Sequence, residues 1–394
     1  MKDVTKLGYI ADIYDGPHAT PKKIENGKYF LSISSLDNGS LDLSKSAFIS
    51  DKDFIKWTKR VQPQKGDLLF SYETRLGEAA LMPDNLQACL GRRMGLLRPK
   101  KDKVIPQYLL FAYLSPEFQK VIRKNTIKGA TVDRIALNEL GNFPIYIPDL
   151  KTQQSIAAVL SALDKKIALN KQINVRLEEM AKTLYDYWFV QFDFPDANGR
   201  PYKSSGGEMV FDETLKRKIP KGWKSFKLSE LVTLSTGKED ANFATEQGIY
   251  PFFTCSEKIL KCDVYSFDTQ AILLAGNGTF SVKRFTGRFN AYQRTYVLEP
   301  KSKNLYPIVY FVIIDNVIKF TSGSRGSIIK FITRGDIENI DVVLPNDIEN
   351  MRFSEVLYTY LLQAELLEKQ NHHLTQLRDF LLPMLMNGQV SVAE

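Results

Sequence analysis

Two stretches of this chain concentrate the side chains that bind phosphate and read base edges. From Asn85 to Arg134, eleven Lys/Arg stand against three Asp/Glu, and from Ala275 to Arg334 ten stand against two. Each window is net +8 and so is the whole chain, which leaves the remainder at −8. Lysines scattered for solubility would not partition this way. Cations interleaved with Tyr and Phe, as in "VKRFTGRFNAYQRTYVLEPKSK" at 282–303, neutralise phosphates and release counterions. Reading base edges needs forked or amide side chains, Arg for guanine and Asn or Gln for adenine, while Lys mostly meets phosphate. On that chemistry the expected DNA contacts in the first half are Arg75, Arg92, Arg93, Lys128, Thr131 and Arg134. In the second half they are Asn277, Lys283, Arg284, Arg294, Ser324, Arg325 and Lys330.

Catalytic chemistry has no comparable footing. The [DNS]PP[YFW] loop of DNA amino-methyltransferases is absent, since none of the 17 prolines stands beside another. "GNGTF" at 276–280 lacks a following Lys-Ser/Thr and falls in an expected hairpin, so it is a poor phosphate cradle, and no Walker A sequence occurs. His372 and His373 are adjacent on an expected helix, point about 100° apart and cannot share a metal. His18 sits in the turn "DGPHATP", and no compact PD…ExK pattern stands out. Cys89, Cys255 and Cys262 are odd in number and have no CxxC spacing, which argues for incidental thiols. No catalytic residue and no metal ligand is assigned.

The elements that must position the cations are used twice. Gly129 and Gly326, Ile135 and Ile332, Pro148 and Pro345, and Leu160 and Leu357 are each 197 residues apart. In both copies a Gly/Ser turn leads to a short apolar strand ending in proline and then to a long helix. A fixed period over two copies implies one structural unit used twice. "TQAILLAGNGTFSVKRF" stands where "GDLLFSYETRLGEAAL" stood, and "YPIVYFVIIDNVIKF" where a helix opened by Pro106 stood. The first helix carries a heptad seam of Ile156, Leu160, Leu163, Ile167, Asn170, Asn174, Leu177, Ala181, Leu184 and Trp188. Phe353, Leu357, Tyr360, Ala364, Leu367, Asn371, Leu374, Arg378, Leu381 and Leu385 repeat it in the second helix. Matched position and length predict that the two pack on each other, with Asn174 and Asn371 setting register. A Gly/Ser/Lys-rich connector of some 30 residues allows the helices to run antiparallel. At about 1.5 Å per residue, Ser155–Trp188 would then form a ruler of roughly 50 Å.

The expected architecture is α+β: two mixed α/β target-recognition domains in pseudo-two-fold arrangement, separated by an antiparallel coiled coil of two long helices. Its boundaries are 1–147, the central helix 148–190, the connecting loop 191–222, 223–345, and the distal helix 346–389. No run approaches the roughly 20 apolar residues of a bilayer span, and "MKDVTKLGYIADIYDG" lacks a signal-peptide core. No membrane association is expected, and the cytoplasm is the expected compartment.

The string P-x-L-x-x-Q-x-x-I-A-x-x-L-x-x-L-D-x-K-I at Pro148–Ile167 and "FDFP…GxPYKSSGG" at Phe192–Gly207 resemble the specificity subunits of type I restriction-modification systems. The likeness covers nearly the whole chain; the second copy, "LPNDIENMRFSEVL", departs by lacking the Gln and the Leu-Asp pair. The resemblance implies a protein without catalysis of its own. Each recognition domain would read one half of a split, asymmetric double-stranded DNA target, and the helices would set the unread spacer. It further implies two modification (methyltransferase) subunits and two restriction (motor-nuclease) subunits as partners, with S-adenosylmethionine, ATP and magnesium belonging to them. Two competing readings are a bivalent architectural or regulatory DNA binder acting alone and the recognition part of a fused restriction-methylation enzyme.

Overall fold

The computed structural model describes residues 4–129, 132–322, 331–348 and 351–392. The chain forms two compact units, residues 1–169 with 371–394, and residues 170–370. Each consists of one globular head and one half of each long helix.

In the first head, strands Ala11–Asp15, Met94–Pro99, Leu68–Ser71 and Ala79–Leu81 lie side by side in that order, all antiparallel. A second sheet orders Ala47–Ile49, Lys28–Phe30 and Ala88–Cys89, the last pair parallel. The second head joins the same pieces into one sheet: Val232–Thr236, Thr295–Pro300, Phe267–Ala275, Val282–Ala291, Tyr250–Phe253 and Leu260–Cys262. Its long strand Val282–Ala291 covers what the first head divides between Ala79–Leu81 and Ala88–Cys89. The parallel pairing Phe252↔Asn290 accordingly repeats Tyr29↔Ala88. Val4–Lys6 closes on Pro144–Tyr146, and Trp223–Lys227 on Asp341–Pro345, so the proline-ended strand of the repeat anchors each head's entry strand.

Behind each sheet lies an apolar helix. In the second head it is continuous, Leu305–Ser322. The single helix expected from Pro106 is instead two, Pro106–Leu114 and Pro116–Lys124. Pro116 has no amide to donate, and the Ser115 hydroxyl caps the new start by accepting from the Phe118 amide at 3.3 Å.

The central helix runs Leu150–Tyr185 and the distal helix Ser354–Met386. All of the heptad positions read from the sequence are buried or half-buried. In the first unit Arg378 Nη1 meets Asp164 at 3.0 Å, and Asn371 Nδ2 donates to the Ile167 carbonyl at 3.2 Å. In the second unit Asn170 Nδ2 donates to Gln370 Oε1 at 2.7 Å, and the Trp188 and Phe353 rings meet edge-on at 5.7 Å. Rising numbers on one helix oppose falling numbers on the other, so the segments pair antiparallel within each unit. Asn174 is half-buried on the same face. The connector is more than a loop: Met209–Asp212 and Arg217–Pro220 form a hairpin. Phe194 stacks on both Tyr202 and Trp223 at 4.7 Å and on Phe353, just before the distal helix, at 5.6 Å, fastening the connector to the head's entry strand and the start of that helix within the second unit. Among the described residues no helix is long and apolar enough to cross a membrane.

Candidate nucleic-acid interface

A ledge at one end of each sheet gathers Arg92, Arg93, Lys128 and Arg134 in the first head and Arg294 in the second, and the same backbone bonds build both ledges. In the first head the Tyr72 amide donates to the Arg93 carbonyl at 3.2 Å, and the Ile135 amide to the Tyr72 carbonyl at 2.9 Å. In the second, the Gly276 amide donates to the Arg294 carbonyl at 2.9 Å, and the Ile332 amide to the Gly276 carbonyl at 2.8 Å. Glu73 bridges Arg134 as Asn277 bridges Phe331. These bonds make Arg93 and Arg294 structural equivalents, and likewise Arg92 and Gln293, Glu73 and Asn277, Arg134 and Phe331.

The corner behind each ledge needs glycine. Gly16 donates to the Met94 carbonyl and Gly237 to the Thr295 carbonyl, at 2.8 and 3.2 Å. A Cβ at Gly16 would lie 2.8 Å from the Gly91 and Met94 carbonyl oxygens, and one at Gly237 only 1.9 Å from that of Ala291. Both glycines end matching segments, "KLGYIADIYDG" and "KLSELVTLSTG", which stand 221 residues apart at Leu7 and Leu228.

The side chains presented differ. On the first ledge Arg92, Lys128 and Arg134 are exposed. Arg93 pairs with Glu73 at 2.9 Å and donates to the Thr74 hydroxyl at 3.3 Å. Arg93 and Thr74 both hold left-handed backbone, φ 69° and 67°. That costs a non-glycine residue about 1–2 kcal/mol, and such strain gathers at functional sites. Arg75 is committed within the head, with Nη1 donating to the Ile33 carbonyl at 3.0 Å and Nη2 3.2 Å from Glu78. On the second ledge Arg294 and Gln293 are exposed beside half-buried Asn277, around a depression of about 360 Å³ whose rim includes Phe331. Phe331 is 67 % exposed, an unusual place for a large apolar ring unless it meets a flat partner.

Two expected contacts face elsewhere. Lys283 donates to the Ser256 carbonyl, and burial holds its ammonium below the usual lysine range. Arg284 lies on the opposite face of the same strand with its side chain only 7 % exposed. It pairs with Glu178 of the central helix, donates from Nη1 to the Leu361 carbonyl of the distal helix at 3.1 Å, and lies 4.6 Å over the Tyr310 ring. Burial pulls its pKa down, but Tyr310 and Glu178 outweigh that and hold it above the usual arginine value. Arg284 therefore fastens the head to the helices and has no surface for DNA. Thr131, Ser324, Arg325 and Lys330 lie outside the described residues. Sequence reasoning missed Gln293, Phe331 and the Gly16/Gly237 corners. Cys89, whose thiol burial pushes up to about 12, is a core thiol with no reactive character at neutral pH.

Two heads of one α+β scaffold, each with a ledge of different polar side chains and each fused to helix segments, define a duplicated recognition protein. Residues 2–179 and 220–376 match the type I restriction modification DNA specificity domain, and the chain belongs to that family. It is 46% identical over 181 residues to the EcoDI specificity subunit of Escherichia coli, a match spanning 44% of this chain and 40%, less than half, of that subunit. Against the MjaIX specificity subunit of Methanocaldococcus jannaschii it is 24% identical over 96% of this chain and 88% of the relative. The fold is similar to that of the crystallised type I restriction-modification S subunit from M. genitalium, with TM-score 0.64, 15% identity and coverage of 98% and 96% of the two chains.

Proposed function

We propose that this chain is the sequence-specific DNA-recognition subunit of a type I restriction-modification complex and carries no catalysis itself. Each head reads one half of a bipartite, asymmetric target, and the helix pair fixes the spacer that neither head reads. Two modification subunits and two restriction subunits complete the complex, bringing S-adenosylmethionine, ATP and magnesium with them. The observation that carries this reading is the pair of ledges: identical backbone bonds display Arg92, Glu73 and Arg134 in one head and Gln293, Asn277 and Phe331 in the other. A scaffold kept while its tip is changed suits two modules that read different bases.

Deleting the gene and mapping N6-methyladenine across the host genome tests the reading. Loss of one bipartite methylated motif is expected; an unchanged map would end it. Inserting four or seven residues in a long helix should lengthen the spacer and leave both half-sequences intact.

A further inference from the structure

The first head has a concavity at a corner that, among the described residues, is closed by chain in the second head. It encloses about 450 Å³ between the Asp15–Pro17 turn, the end of the short helix Asp51–Trp57 and Leu90. That volume lies within the range of small-ligand sites. Its wall is the half-buried Trp57, which leans on the small core of Phe30, Ile49 and Cys89. Its rim carries Lys56, Lys59 and Arg60, against the single carboxylate of Asp15. Arg60 and His18 both pair with Asp15, while Lys56 Nζ stands 4.9 Å from the Trp57 ring centroid. The indole N–H of Trp57 is shielded from solvent and has no acceptor in the protein. A buried donor left in this state costs about 1–3 kcal/mol; what the concavity itself offers a ligand is the Trp57 side chain and the charged rim. In the second head the equivalent corner is closed by chain, with the Gln293 amide donating to the Glu239 carbonyl at 2.8 Å and Glu239 bridging Tyr292.

We propose that this pocket takes one unstacked nucleotide of the bound DNA strand, a proposal that rests on the DNA-recognition reading above. Each part of a nucleotide has its counterpart. Once the Lys56 side chain swings off the ring, the indole face and Pro17 accept the base plane, as stacking platforms do for single-stranded bases. The Asp15 carboxylate is an acceptor for an exocyclic amino group. Lys56 and Lys59 meet the phosphate. The pocket opens beside Gly16, which is bonded to Met94, next in sequence to the ledge arginines Arg92 and Arg93. A nucleotide leaving the duplex at the ledge has only the width of the neighbouring strand, about 5 Å, to cross.

Trp57 is its own reporter, because Trp188 and Trp223 are only 9% and 7% exposed and lie in the second unit. The full chain is titrated with deoxynucleoside 5′-monophosphates, with deoxynucleosides and with inorganic phosphate, following tryptophan emission. Monophosphates should quench saturably and bind at least roughly tenfold more tightly than either half alone, since stacking and phosphate contacts each contribute. Trp57→Phe should abolish the response, Lys59→Ala should weaken binding about fivefold, and the target duplex should displace the monophosphate. No quenching, quenching that survives Trp57→Phe, phosphate competing as well as the nucleotide, or a monophosphate that stays bound alongside the duplex would each overturn the proposal. Duplex binding measured on the same samples separates the two readings: if it persists while the monophosphate response fails, only the pocket falls.

Discussion

The two heads share a scaffold but are fastened to the helices by opposite chemistry. Strand register places Leu81 of the first head where Arg284 stands in the second, opposite Leu68 and Ile272 respectively. Leu81 joins an apolar cluster with Ile156, Leu160 and Leu385. The polar fastening of the first unit is Gln153, 1% exposed, whose Oε1 accepts from the Ile105 amide at 2.9 Å and whose Nε2 donates to the Lys103 and Pro148 carbonyls at 3.0 and 2.8 Å. In the second unit an arginine carries that load, with Thr286 donating to Glu365 at 3.2 Å beside it. A neutral amide saturated by backbone loses only its bonds when removed. A buried guanidinium leaves a carboxylate behind, so the second head is the more exposed to single substitutions.

That contrast can be broken stepwise. Arg284→Met should destabilise the full chain most, by about 3 kcal/mol, the low end for breaking a buried pair because Glu178 is 41% exposed and can rehydrate. Adding Glu178→Leu should recover most of the loss, since apolar replacement of both partners is often neutral. Denaturant unfolding followed separately in each unit reads both, and equal loss from single and double variants would deny that the pair carries the load. Gln153→Ala should cost about 2 kcal/mol, from an orphaned Ile105 amide and two weakened carbonyls, and should act on the first unit. At the ledges, Arg294→Ala should weaken target binding by about 1–3 kcal/mol and relax one half-sequence only, whereas Lys128→Ala should lower affinity uniformly and reduce the salt slope by about one. Gel shifts against single-base target variants distinguish these. Smallest of all, Asn371→Leu should raise stability by less than about 1 kcal/mol, because a polar seam residue gives up stability for register; a marked loss on thermal unfolding would contradict that role.

The long helices were legible because their signal is local: seam residues recur every three or four positions, and burial follows them from Ile156 to Trp188. The heads were legible only where the two copies keep step. The offset is 197 at Pro148 and Pro345, 201 at Arg93 and Arg294, and 221 at Gly16 and Gly237. A search at one period therefore finds the proline strands and misses both the glycine corners and the matched arginines. Arg284 illustrates a different limit. Lys283 and Arg284 read alike in a basic run, but adjacent residues on a strand face opposite sides. Only the register against Ile272 and Leu273 shows which one turns toward the helices. Trp57 and the Asp15 turn carried no motif at all, since 42 residues separate Asp15 from Trp57 and the pocket forms only when distant turns meet.

The central claim is that each head independently specifies one half of the target. It is tested most directly by replacing residues 228–345 with residues 7–148, cut at the equivalent pairs Leu7/Leu228 and Pro148/Pro345, and mapping N6-methyladenine in the host. The account predicts a new bipartite motif whose two halves carry the same sequence, that of the first head. Persistence of the original second half-sequence in that map would contradict it.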